Sequence, residues 1–210
     1  MSFEKMRLKL SKVVGLLMFL FLCFNDSSSE WLGIIEKHQG PSLKTILLFF
    51  FGILFVGVGV LGRVWCSLFI SGYKNDKLVI YGPYSMCRNP LYFFSFIAVI
   101  GVGMTTKTFM IPLGMIVLFS FYYPFVIKSE QKFLLGIYKE EFLEYIKNVP
   151  CFFPSFSKYS EPEEYVVRPK RFKRFLTEVV WFIWLVGLIQ LIEGLKALNY
   201  LPVLFHIKLI

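Results

Sequence analysis

The sequence predicts an all-α fold: an integral membrane helical bundle of about five transmembrane helices with a cytoplasmic amphipathic helix. Three observations carry that prediction. Of 210 residues, 56% are hydrophobic and 19% aromatic, and the mean hydropathy of +0.63 is far above that of an ordinary soluble domain. The apolar residues gather in runs long enough to cross a bilayer. Those runs, rich in the 25 Phe, show little of the period-two alternation that a membrane barrel requires.

In chain order, the first run covers 13–24 after a basic start with Lys5, Arg7, Lys9 and Lys12. A signal peptide has the same layout, but no small-residue cleavage site follows, so the run reads as an uncleaved first helix. Gly40-Pro41-Ser42 precedes a second span at about 43–61. A third, about 91–104, and a fourth, about 109–127, are separated only by Thr105-Thr106-Lys107-Thr108, which predicts a tight antiparallel hairpin. Pro112 and Pro124 lie near the ends of the fourth span, where a helix start or kink is tolerated. From 128 to 147 the apolar residues Phe133, Leu134, Ile137, Phe142, Tyr145 and Ile146 recur at helical spacing among Glu and Lys, as in an amphipathic helix, interfacial or packed on the bundle. Val149-Pro150-Cys151-Phe152-Phe153-Pro154 ends it, and a charged connector leads to a fifth span at about 175–195 and an apolar tail over 198–210. The chain therefore divides into N-terminal transmembrane helices (1–62), a core (63–154), and a connector with an extra span and tail (155–210).

The net charge of +9 sits on residues flanking the spans rather than on one continuous face. That pattern argues against nucleic acid and for the positive-inside rule. Lys and Arg accumulate before the first span, between the second and third, and between the fourth and fifth, whereas 25–42 carries Asp26, Glu30 and Glu36 against Lys37 alone. The expected topology is multi-pass with a cytoplasmic N-terminus. The basic run Arg168-Pro169-Lys170-Arg171-Phe172-Lys173-Arg174 reads as an anchor that also attracts anionic lipid heads. Cys23, Cys66, Cys87 and Cys151 stand alone, and His38 and His206 lie far from them, so no metal ligands and no disulfide framework are expected. Gly57-Val58-Gly59-Val60-Leu61-Gly62 spells a dinucleotide fingerprint, but inside a span it reads as close helix packing.

The segment Gly82-Pro83-Tyr84-Ser85-Met86-Cys87-Arg88-Asn89-Pro90-Leu91-Tyr92 is polar and turn-rich, yet abuts a span. An arginine at membrane depth costs about 3 kcal/mol or more, so it marks a functional site by default. Glu130 directly follows the fourth span, which returns antiparallel to the third. Arg88, Asn89, Tyr92 and Glu130 therefore fall on the cytoplasmic edge of one hairpin.

This segment resembles the G-P-Y-x-x-x-R-(H/N)-P-x-Y motif of the isoprenylcysteine carboxyl methyltransferase and phospholipid methyltransferase superfamily. Arg63-Val64-Trp65 and Leu78-Val79-Ile80-Tyr81 resemble its approach, Glu130-Gln131-Lys132-Phe133-Leu134 its E-E-x-x-L, and Tyr138 through Pro154 its F-G-x-x-Y-x-x-Y-x-x-x-V-P-x-F-x-P. The resemblance implies S-adenosyl-L-methionine as cofactor and methyl transfer to a lipophilic acceptor, a carboxylate, thiol or amine, at the cytoplasmic interface. It assigns the cofactor to Gly82, Pro83, Tyr84, Arg88, Asn89, Tyr92 and Glu130, with Arg88 and Glu130 as the catalytic pair. Five positions depart from the pattern: Gln131 replaces the second acid, Lys139 a Gly, Phe142 a Tyr, Cys151 a frequent Arg and Phe94 a small residue. Two other readings are an NADPH-dependent lipid or sterol reductase, with Lys74 and Lys77 for a pyrophosphate, and a non-catalytic membrane scaffold.

Overall fold

The computed structural model describes residues 43–73, 77–198 and 200. The expected first span at 13–24, its cleavage, the N-terminal side of the membrane, the 25–42 loop, Cys23, His38, Lys74 and the tail from 201 with His206 lie outside the described residues. Residues 43–185 make one compact unit. The described residues are all-helical, without a strand.

Helix α1 (Leu43–Tyr73) has 31 residues, about 46 Å at 1.5 Å per residue. It contains the predicted span at 43–61 and runs twelve residues further, taking Arg63 and Cys66 with it. No Pro and no polar cluster stops it before Tyr73. After it, α2 (Pro83–Met86) is a single turn, and α3 (Pro90–Met104) begins with Pro at its first position, where a missing N–H is harmless. At 15 residues, α3 is about 22 Å long, short of the roughly 30 Å hydrocarbon layer. Among the described residues, the helices long and apolar enough to cross a membrane are α1, α4 (Met110–Asn148) and α5 (Pro169–Ala197).

The hairpin forms where the four-residue turn predicts it. Thr105 N–H donates to Gly101 C=O at 3.1 Å, and the Thr105 and Thr106 hydroxyls donate to Val102 and Gly103 carbonyls at 2.7 and 2.6 Å. The next element corrects the sequence reading. The expected boundary at 128 is absent: α4 runs on through the start of the amphipathic stretch, because Lys128 through Tyr138 is mostly good helix formers and its single glycine, Gly136, costs only about 1 kcal/mol. The interruption comes later, at Lys139 (φ 42°, ψ −111°). The helix carrying the fifth span begins before 175, since the basic run from Pro169 already forms the first turns of α5.

Small residues set the α1–α3 spacing. A Cβ on Gly59 would lie 2.6 Å from that of Ala98, and one on Gly62 would enter the Phe94 ring. Glycine at these two positions therefore permits close helix approach, as the packing reading of 57–62 requires, whereas Gly57 faces open space. The amphipathic segment divides its apolar residues between two environments. Phe142 and Tyr145 are buried against Leu78, with Leu134 and Ile146 beside them, whereas Phe133 and Ile137 are 57% and 45% exposed.

Candidate active site

The motif is held by a second stretch of chain that follows α4. Gly82 has φ +61°, a value that a Cβ disfavours, and a Cβ there would also strike the Phe69 ring at 2.4 Å. Its N–H donates to Ser160 C=O at 2.7 Å, Arg88 N–H to Pro150 C=O at 2.9 Å, and Ser155 N–H to Met86 C=O at 3.0 Å. The Ser160 N–H donates to Ser85 Oγ at 3.0 Å. Phe152 sits edge-on to Phe93 and Phe96 of α3 and close to Phe119 of α4. Buried backbone groups without partners cost about 1–3 kcal/mol each, so this ladder explains how an irregular turn is tolerated beside apolar helices.

Within that frame, Tyr92 Oη donates to Glu130 Oε2 at 2.7 Å. This contact spans 38 positions and joins the two ends of the hairpin, the convergence that the topology predicts. Tyr92 also packs edge-on against Tyr123, with centroids 5.1 Å apart. Asn89 takes a different part: its Nδ2 donates to Cys151 C=O at 2.8 Å, so its amide ties the motif to the closing segment. Arg88 and Glu130 form no ion pair among the described residues. Pro83 begins the α2 turn.

Two polar atoms of the motif are buried without a hydrogen-bond partner, the Tyr84 hydroxyl and Arg88 Nε. Burial, with Cys66, Tyr145 and Glu130 adding to it, pushes the Tyr84 phenol well above its usual range, so it stays a neutral donor. Burial also pushes the Cys87 thiol up to about 12, the neighbouring Cys151 contributing in the same direction. The unpaired donors and the acidic Glu130 offer hydrogen bonds to an anionic group together with a carboxylate for a cationic one.

Several contributors lay outside the predicted set. Tyr145 Oη donates to Tyr84 C=O at 2.7 Å, and its place in the quoted pattern was the available signal. Gln131 Nε2 reaches Cys151 Sγ at 3.6 Å. The resemblance noted an altered residue at each of these two positions, and the structure shows that they touch: a neutral pair stands where the pattern implies an acid and an arginine.

The phospholipid methyltransferase family model matches residues 43–141, which include α1, the whole motif, α3 and Glu130. Over those residues the chain is similar to the phospholipid methyltransferase family. The matched region is closed by residues beyond it, 150–160, which pair with the motif backbone. Two curated relatives match. The cobalt-zinc-cadmium resistance protein CzcN of Cupriavidus metallidurans is 39% identical over 60% of this chain and 58% of its own length. The nickel-cobalt-cadmium resistance protein NccN of Alcaligenes xylosoxydans xylosoxydans is 40% identical over 55% and 54%. The chain thus spans little more than half the length of these relatives. No solved structure matches it.

Proposed function

We propose that the protein is a membrane S-adenosyl-L-methionine-dependent methyltransferase acting on a lipophilic acceptor at the cytoplasmic interface, with 63–154 as its core. The observation that carries this reading is the Tyr92–Glu130 hydrogen bond, made on the same motif as the unpartnered Tyr84 hydroxyl and Arg88 Nε. These donors suit the carboxylate of the cofactor, and Glu130 suits its ammonium or ribose hydroxyls. Gly82 and Pro83 shape the turn that carries Tyr84, and Asn89 holds Arg88 in register through Cys151. The cofactor supplies an electrophilic methyl group when bound. The protein's part is to orient the acceptor in line, exclude water and leave Glu130 as the available proton acceptor for an amine. An acceptor that is already anionic needs no base. The cytoplasmic side is our reading of the Lys and Arg distribution.

The relatives' names point to a setting. Methylating a carboxylate or another anionic group of a membrane component removes an oxygen ligand for divalent cations, which gives a methyltransferase a route to metal resistance without binding metal itself.

The test is equilibrium binding of the purified chain to S-adenosyl-L-methionine and to NADPH, with labelled-methyl transfer into a total lipid extract. Saturable S-adenosyl-L-methionine binding and labelled lipid are expected, and Arg88→Ala should lose both by at least about tenfold, the order of one charge-assisted hydrogen bond. Saturable binding of NADPH alone would favour the reductase; a folded protein that labels nothing would favour the scaffold.

A further inference from the structure

The segment that closes the motif also enters the apolar layer. Its backbone follows the motif step by step: Pro150 C=O accepts from Arg88 N–H at 2.9 Å, Cys151 C=O accepts from Asn89 Nδ2 at 2.8 Å, and Ser155 N–H donates to Met86 C=O at 3.0 Å. Between these anchors the chain reaches past the start of α3. Phe152 meets Phe93 and Phe96 of α3 and Phe119 of α4 at ring-centroid distances of 5.8, 6.0 and 6.3 Å. Phe96 lies six residues beyond Pro90, the first residue of α3, or about 9 Å along the axis at 1.5 Å per residue. Residues 150–156 therefore form a re-entrant hook, with its limbs at the level of the motif and its tip, Phe152-Phe153, beside the first two turns of α3.

Irregular backbone in hydrocarbon is costly because no water satisfies its polar groups. The sequence of the hook lowers that cost: Pro150 and Pro154 bracket the tip and carry no N–H, and the carbonyls of Pro150 and Cys151 are already bound. The side chains divide accordingly. Phe152 is half-buried against the hairpin, whereas Phe153 and Phe156 are 73% and 77% exposed. Phe153 also lies edge-on to Phe93, with centroids 6.4 Å apart, so its exposed face continues the apolar surface of α3. Lys158, the nearest charge on the segment, turns back to Asn148 C=O. A single exposed Phe needs no explanation. Two on a loop whose tip packs at membrane depth match the way apolar side chains seat a segment at the boundary of head groups and acyl chains.

We propose that residues 150–156 are a membrane-inserted hook, with Phe153 and Phe156 among the upper acyl chains of the leaflet at the motif's end of the bundle. The partner is the bilayer itself, and lipid holds the outer side of the backbone ladder that closes the motif. Bilayer contact thus extends to a segment outside the transmembrane helices, whether or not the motif binds the proposed cofactor.

The test places the photoreactive analogue p-benzoylphenylalanine at single positions of the full chain, reconstituted in dioleoylphosphatidylcholine vesicles, and reads adducts by mass spectrometry. Phe121, 72% exposed within the α4 span, is the lipid-facing reference, and exposed Glu163 of the connector is the aqueous one. The analogue at 153 and at 156 should give phospholipid adducts within about threefold of the yield at 121 and at least about tenfold above that at 163, as seating among acyl chains requires. The analogue enlarges only an exposed ring, so the fold is left intact. Amide exchange in the same vesicles is the second readout: the double variant Phe153→Ser, Phe156→Ser should exchange at least about tenfold faster over 150–160 than wild type, as a loosened local opening does. A yield at either position as low as at 163 would overturn the proposal. Adducts to a peptide of this chain in place of lipid would overturn it too, by assigning the face to a protein contact. Unchanged exchange in the double variant would overturn the claim that lipid holds the ladder.

Discussion

Tyr92 and Glu130 meet because an antiparallel hairpin returns the chain to the same level. Tyr92 is half-buried and Glu130 is exposed on the protein surface, so their bond contributes modestly to stability, about 1 kcal/mol. In the proposed function its larger use is to hold the carboxylate for the cofactor. In a double-mutant cycle, Tyr92→Phe and Glu130→Gln should each weaken S-adenosyl-L-methionine binding and show a coupling of about 1 kcal/mol by titration calorimetry. Strict additivity would mean that the two side chains act independently. The sequence placed these two residues together through loop length and helix direction alone. It offered no guide to Asn89, whose amide serves the closing segment, because that partner lies 62 positions away.

At the scale of the element, α4 shows how polarity and helix continuity can part company. The pattern changes character at Lys128, as a span gives way to an amphipathic stretch, yet the backbone continues because nothing there breaks a helix. The break falls at Lys139, whose positive φ and negative ψ lie outside the regions open to side-chain-bearing residues. The methyltransferase pattern carries glycine at this position, and the backbone explains why. Lys139→Gly should therefore stabilise the protein by about 1 kcal/mol or more, in contrast to the usual cost of glycine in a helix. Denaturation in detergent, compared with a control Gly at exposed Glu141 that should destabilise, checks this. A loss of stability at both positions would show that the kink is not strained.

Across the whole molecule, the long apolar helices and the basic flanks establish a membrane protein, and the cysteines offer a way to test its proposed orientation. Cys151 is partly exposed on the segment that closes the motif, whereas Cys87 is fully buried. The raised Cys87 pKa means that its neutral thiol persists at pH 7.5, and the stability it contributes is lost only as pH climbs from about 9 towards about 12. An impermeant maleimide at pH 7.5, read by peptide mass mapping, should label Cys151 in inside-out vesicles and leave Cys87 unmodified. Labelling of Cys151 in right-side-out vesicles would reverse the proposed topology.

By itself, the sequence determined the all-helical membrane class, the hairpin and the motif with its partner Glu130, because hydropathy, turn chemistry and helix direction are local properties that each stretch of chain carries with it. Only the tertiary structure decided that 150–160 closes the motif, that Gln131 meets Cys151, and that Arg63 of α1 donates to Ser95 of α3. Those facts depend on which distant backbone and side-chain groups satisfy one another when segments tens of residues apart are packed together, and no local pattern encodes such a pairing.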